Sequence, residues 1–331
     1  MKAILHLGDQ KNGSKSIQEF LNKNVGNLRR EGVLKPKAAK MGPYDAGFRA
    51  LAGDSNWAKQ FATKRGLEDD TVEAVRQYID TGLREELESQ TGSLAIFSFE
   101  GLLGMADQEK EALVCFLDQY FDEIDAVVFL RRNDRKVRSG YVTRIQNAGI
   151  TERDLFFNKN GVARGPHYLS HIQKWSELLG RDRLQVLNFD KSDDVVQDFI
   201  AAVELEGPFD YEDEQRNVAP SAYGLEVMLR FNERMADLEP YCQKPVAIRR
   251  QIRQMLHEGE KYKPARQRAI QHYEAFREEN ERLGEALLGV KQDFFDHDFS
   301  EYPEEEMTVE VDDSDFQAYI RKAAQNCGLA V

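Results

Sequence analysis

Between Ala3 and Phe189, four short, mostly apolar runs alternate with stretches of helical periodicity, and this alternation constrains the fold more than any other feature of the chain. The runs are residues 3–7, 93–98, 126–130 and 184–189, near-continuous in the way of strands buried on both faces. Helical stretches lie between them. One opens at Ser14, read as an N-cap, and carries Ile17, Phe20, Leu21, Val25 and Leu28 at helical spacing. Others cover residues 71–88, 108–120 and 168–179. Strands that alternate with amphipathic helices build βαβ units. The expected fold is therefore α/β: a three-layer core with a mainly parallel sheet flanked by helices. Residues 41–60 and 150–166 read as loops able to frame a cleft.

After Pro220 the pattern changes. Residues 222–238 and 263–288 read as helices charged on one face, with no convincing strand among them. This divides the chain into an α/β core, residues 1–219, and a helical extension, residues 220–331, packed on it. The extension contains an acidic segment: residues 293–315 hold 11 acids and no Lys or Arg. Against a net charge of −13, the remainder of the chain is near neutral, at −2. The segment reads as an exposed interaction edge.

Such a balance excludes a general nucleic-acid binder, which needs clustered Lys and Arg. No apolar stretch approaches the roughly 20 residues of a membrane span, and residues 1–7 are too short for a secretory leader. Cys115, Cys242 and Cys327 are odd in number and widely spaced, which suggests neither a disulfide framework nor a zinc site. A cytoplasmic protein is the expectation, with a homo-oligomer left open.

The segment richest in chemistry is Gly8-Asp9-Gln10-Lys11-Asn12-Gly13-Ser14-Lys15-Ser16, set between a strand and a helix. A turn there aims backbone N–H groups and the positive end of the helix dipole at an anion. Gly13 permits close backbone approach, Ser14 and Ser16 offer hydroxyls, and Lys11 and Lys15 offer charge. A Walker A loop needs Lys directly after its second glycine; Ser14 stands there instead. Over Lys11-Asn12-Gly13-Ser14-Lys15 the turn resembles the 5′-phosphosulfate loop of the sulfotransferases that use 3′-phosphoadenosine-5′-phosphosulfate (PAPS). The lysine, the glycine and one hydroxyl match; Asn12 and Lys15 depart.

A second match lies after the strand at 126–130, where Arg131 and Ser139 stand eight residues apart within a run of five basic residues. The family holds the 3′-phosphate of PAPS with an arginine and a serine so placed, and an arginine clamps phosphate through two parallel hydrogen bonds. Residues 17–21, 31–36 and 175–180 are similar to its first helix, the turn after it, and a later helix–strand unit. The resemblance spans residues 1–220 and is to bacterial-type carbohydrate and small-molecule sulfotransferases.

It implies sulfuryl transfer from PAPS, a co-substrate, to a hydroxyl or amine of a saccharide or other small metabolite, with no metal. By analogy with phosphoryl transfer, the protein positions the reactants and stabilises spread charge. Lys11 would meet the charge growing on the bridging oxygen. Asn12, Gly13, Ser14, Lys15 and Ser16 would complete the 5′ side, and Arg131 and Ser139 the 3′ side. Glu100, just past a strand end as in the family's Ser-x-Glu segment, would take the acceptor's proton; a first-turn acid supporting the next helix is the alternative. His6 reads as a core histidine, and His167 and His171, lacking a third ligand, as structural. The basic stretch 244–268 reads as a solvated helix face or the lining of an anionic acceptor site. Two other functions stay open: a P-loop kinase using ATP–Mg, and a non-catalytic protein that keeps the fold.

Overall fold

The computed structural model describes residues 1–41, 47–89, 92–210, 219–238, 241 and 243–329. Cys242, and residues 42–46 of the 41–60 stretch, lie outside them. Contacts divide the chain into two compact units. The first comprises Met1–Arg131, His167–Asp213 and Arg282–Phe294, and the second Arg132–Pro166, Glu214–Glu281 and Phe295–Val331. Most of the helices after Pro220 thus share their unit with residues 132–166.

In the first unit the order is β1 (Lys2–Leu7), α1 (Ser14–Lys23), α2 (Val25–Arg30), β2 (Val33–Leu34), α3 (Gly47–Leu51), α4 (Ser55–Arg65), α5 (Val72–Glu88), β3 (Leu94–Phe99), α6 (Asp107–Leu117) and β4 (Glu123–Leu130). The chain then enters the second unit with α7 (Asn133–Thr143) and returns with α8 (Tyr168–Leu179), β5 (Leu184–Asn188) and α9 (Val195–Ala202). The five strands form one sheet in the order β2-β3-β1-β4-β5, every pairing parallel. The expected α/β architecture is thereby met. β1 sits at the centre, Leu5 level with Phe97 on one side and Ala126 on the other.

Alternation along the strands fills both faces. Ile4, Ile96, Val127 and Phe129 pack under Ile17, Phe20 and Leu21 of α1 and Val196 and Phe199 of α9. On the other face Phe97 meets Phe48 of α3 at 5.0 Å and Phe121 at 5.8 Å. Because all strands are parallel, the segments after β1, β3, β4 and β5 emerge along one edge of the sheet.

Three local expectations change. Ser14 is the first residue of α1 rather than its cap; Gly13 caps the helix with a left-handed backbone, φ 76°. Residues 41–60 are not all loop, since α3 and the start of α4 fall there, the latter capped by Asp54 accepting from the N–H groups of Asn56 and Trp57. Residues 33 and 34, within the turn expected after the first helix, form the edge strand β2.

The second unit contains α7, α10 (Ala222–Glu233), α11 (Pro245–Met255), α12 (Arg266–Glu274) and α14 (Asp313–Asn326), while α13 (Arg277–Leu288) crosses the 281/282 boundary. Its core joins Tyr141, Ile145, Val227, Phe231, Ile248, Ile252, Phe316 and Ile320. No helix among the described residues is long and apolar enough to cross a membrane.

Candidate functional site

The turn after β1 is built by its own side chains. Asp9 organises it: one carboxylate oxygen accepts from the Gln10 N–H at 2.8 Å and the other from the Asn12 amide at 3.0 Å. Asn12, fully buried, also donates to the Phe129 carbonyl at 2.8 Å and so ties the turn to β4. The Ser14 hydroxyl donates to the Asp9 carbonyl at 2.9 Å and accepts the Asp9 N–H at 3.0 Å. Its one proton is therefore engaged inside the turn, and the anion donor at this position is the backbone N–H. In the first turn of a helix such groups mostly lack an intrahelical partner; here the Ser16 N–H donates to the Gly13 carbonyl at 3.0 Å, so the N–H groups of Ser14 and Lys15 are the ones suited to a phosphate-like anion.

Two residues take left-handed backbone, Lys11 at φ 66° and Gly13 at φ 76°. For Lys11 that conformation carries strain, because a Cβ crowds the backbone there. Gly8 is required for a different reason: a Cβ on it would lie 2.6 Å from the Phe99 carbonyl oxygen and 2.8 Å from the Glu100 Cα. That close approach sets Glu100, which directly follows β3, beside the turn.

Arg131, directly after β4, reaches the same place. Its Nη1 donates to the Lys11 carbonyl at 3.1 Å, its Nε faces Asp190 at 3.3 Å, and its guanidinium lies 5.0 Å over the Phe189 ring. Its main-chain carbonyl accepts from the buried Tyr168 hydroxyl at 2.9 Å. Asp190, with its side chain only 5% exposed, was not among the sequence candidates. The signal was present: it follows β5 as Arg131 follows β4, on the edge where open parallel sheets bind ligands.

Below this edge lies His6. Its Nδ1 is 2.7 Å from the Ser98 hydroxyl, its partner in register on β3. Burial first, and the charge of Lys35 second, push its pKa down to about 3. A neutral, hydrogen-bonded core histidine is the result, as its place in a central strand suggested.

Lys11, Asn12, Gly13, Ser14, Ser16, Glu100 and Arg131 all belong to the first unit and to this edge. Lys15 does not face the turn, because its ammonium pairs with Glu19 at 3.6 Å on the exposed side of α1. Ser139 lies on α7 in the second unit. His171 is held by Lys110 at 3.1 Å, and Lys110 in turn by Asp107 at 3.1 Å.

Part of the basic run has partners of its own within the second unit. Arg132, buried, bonds Asp134 at 2.7 Å, the Asp296 carboxylate at 2.6 Å and the Asp298 carbonyl at 2.7 Å. Arg135 and Arg138 share Glu301, at 2.6 and 2.7 Å. So part of the acidic segment is an internal counter-charge rather than an exposed edge. The basic stretch 244–268 is likewise partly internal: Arg249 donates to the Gln146 carbonyl and the Asn232 amide oxygen, both at 2.7 Å, and Arg268 pairs with Asp154 at 2.7 Å. A cavity of about 430 Å³ in this unit is lined by Tyr141, Phe156, Leu225, Tyr262, Met307 and, from the basic stretch, Arg268 among others, and by no residue of the turn at 8–16, Glu100, Arg131 or Ser139.

No family model matches the sequence, and no curated protein matches it. Among solved structures the chain is similar to a sulfotransferase from Alicyclobacillus acidocaldarius, at 14% identity over 77% of this chain and 96% of that one, with a TM-score of 0.36. It is also similar to the sulfotransferase domain from the curacin biosynthetic pathway, at 12% identity over 65% and 78% of the two chains, with a TM-score of 0.34.

Proposed function

We propose that the protein is a sulfotransferase that moves a sulfuryl group from PAPS to a hydroxyl or amine of a small acceptor. The observation that carries this reading is the convergence of the turn at 8–16 and Arg131 on one edge of the parallel sheet, joined by the Arg131–Lys11 hydrogen bond. The N–H groups at the start of α1 would hold the 5′-phosphosulfate. Lys11 would stabilise the charge developing on the bridging oxygen. Arg131 would hold the 3′-phosphate, and Glu100 would accept the acceptor's proton.

Isothermal titration with 3′,5′-phosphoadenosine and with ATP–Mg tests the reading. Binding of the first without the second is expected, and the reverse order would make the protein a kinase. In the same assay Arg131→Ala should lose at least about tenfold in affinity for nucleotides with a 3′-phosphate, the value of one charge-assisted hydrogen bond, and much less for those without. Equal losses would remove Arg131 from the 3′ site. Labelled PAPS with an acceptor panel then reads transfer, which Glu100→Gln should slow at unchanged nucleotide affinity.

One observation favours a second reading, a nucleotide-binding protein without transfer. The Ser14 proton and one Arg131 donor are engaged within the turn, and a second Arg131 donor by Asp190. Nucleotide binding with no transfer to any acceptor would select it.

A further inference from the structure

Most arginines of the second unit named so far face carboxylates. Arg144 and Arg164 do not: among the described residues neither forms an ion pair, although both are half-buried. Each gives one donor to a main-chain carbonyl. Arg144 Nη2 approaches the Leu155 carbonyl at 3.5 Å, the limit of a hydrogen bond, and Arg164 Nε donates to the Phe157 carbonyl at 3.2 Å. The two guanidinium groups are thus drawn to one short segment, residues 155–157. A guanidinium has five N–H donors, so most of the donors of this pair stay available.

The backbone fixes both positions. Arg144 opens a π-helical turn, Arg144–Ala148, that ends on left-handed Gly149; such turns recur at functional sites. Tyr141, whose hydroxyl donates to the Glu152 carbonyl at 2.9 Å, lies under the Arg144 guanidinium, 5.7 Å from its ring centre. Arg164 returns along a tight hairpin: its N–H donates to the Phe156 carbonyl at 2.7 Å, beside the Phe157–Ala163 bridge. Buried His272 bonds the Arg164 carbonyl at 2.5 Å. Burial, and after it the charge of Arg164, hold the Arg144 guanidinium below its ordinary pKa, with Tyr141 and the Glu152 carboxylate offsetting only part of the effect. Two like charges are thus brought close on rigid supports, a costly arrangement unless something neutralises it.

We propose that Arg144 and Arg164 form an anion site in the second unit for a dianionic tetrahedral group: inorganic sulfate or phosphate, or a phosphate monoester. Two positive charges match two negative ones. Two planar forks also serve more oxygens than the pair a carboxylate presents. The site is independent of the sulfuryl-transfer reading, because it shares no residue with the edge of the parallel sheet.

The test is protection of the native, full-length protein from phenylglyoxal, read arginine by arginine by mass spectrometry and run with saturating 3′,5′-phosphoadenosine so that the first unit's turn is silent. Sulfate and phosphate should protect Arg144 and Arg164 together, and acetate at equal ionic strength should not. Phenyl phosphate compared with inorganic phosphate distinguishes an ester from a free ion, and either order supports the site. Arg144→Gln and Arg164→Gln should each weaken phosphate binding, followed by the rise in thermal midpoint, by about tenfold or more. No protection, equal protection by acetate, or unchanged affinity in both variants overturns the proposal. Protection mapping needs no variant, so a misfolded substitution leaves it decisive.

Discussion

Lys11 combines two properties that substitution can separate. Its backbone is left-handed, which costs a non-glycine residue about 1–3 kcal/mol, and its side chain is the proposed stabiliser of the leaving group. Lys11→Gly removes both the strain and the charge. Relief of the strain is offset by the greater freedom of glycine in the unfolded chain. The variant is therefore expected to stay within about 1 kcal/mol of the parent in urea unfolding while sulfuryl transfer collapses. A variant that loses stability and keeps turnover would show that the residue serves the turn alone. At this scale the sequence revealed the candidates but not their engagements. Strand–turn–helix position exposes Lys11, Gly13 and Arg131, because a parallel sheet collects its ligands at the strand ends. That Asn12 ties the turn to the Phe129 carbonyl depends on a contact 117 residues apart in sequence, which no local pattern encodes.

Among the elements, β1 and β3 are joined by a polar contact at a level where their neighbours are apolar, the His6–Ser98 hydrogen bond. The folded state keeps His6 neutral, with its pKa near 3 against an ordinary 6.5. The unfolded chain takes up that proton as the pH falls through 6.5. Between pH 6.5 and about 3 the unfolded state therefore binds more protons, so this residue's contribution is whole above 6.5 and is lost progressively below it. Thermal midpoints measured from pH 7 to pH 5, above most carboxylate titration, should fall. They should fall less steeply for His6→Asn, whose amide can keep a bond to Ser98; identical slopes would exclude His6 as the cause. The same elements show which parts of the fold could be read in advance. β1, β3, β4 and β5 are apolar runs bounded by polar turns and were readable. β2 is two residues long, too short to display a period. α4 carries only Ala58, Phe61 and Ala62 as buried residues, so no apolar stripe marks it. α14 begins inside the acidic segment, where charge hides the spacing of Phe316, Ile320 and Ala323.

For the molecule as a whole, the net charge of −13 has a structural explanation. The acids of 296–315 are distributed through the second unit: Asp296 and Glu301 neutralise Arg132, Arg135 and Arg138, and Asp313 neutralises Arg234 at 2.8 Å. Although burial pushes the Glu301 carboxyl up, Arg138 and Arg135 outweigh it and hold the group below its usual range. The same segment brings apolar groups to the core of the unit, where Tyr302, Phe316 and Ile320 are buried. A chain ended at Phe294 tests whether residues 295–331 are part of that unit's fold. It would take Asp296 from the buried Arg132, which keeps Asp134, and a lost hydrogen bond to a charged group costs about 1.5–3 kcal/mol. Loss of the Phe316 side chain adds about 3–5 kcal/mol. Together these approach the roughly 5–15 kcal/mol that holds a domain folded. Hydrogen exchange in the shortened chain should therefore show amides of α10 and α11 unprotected, while β1, β3 and β4 keep their protection. If α10 and α11 stayed as protected as in the full chain, the acidic segment would be an appendage after all.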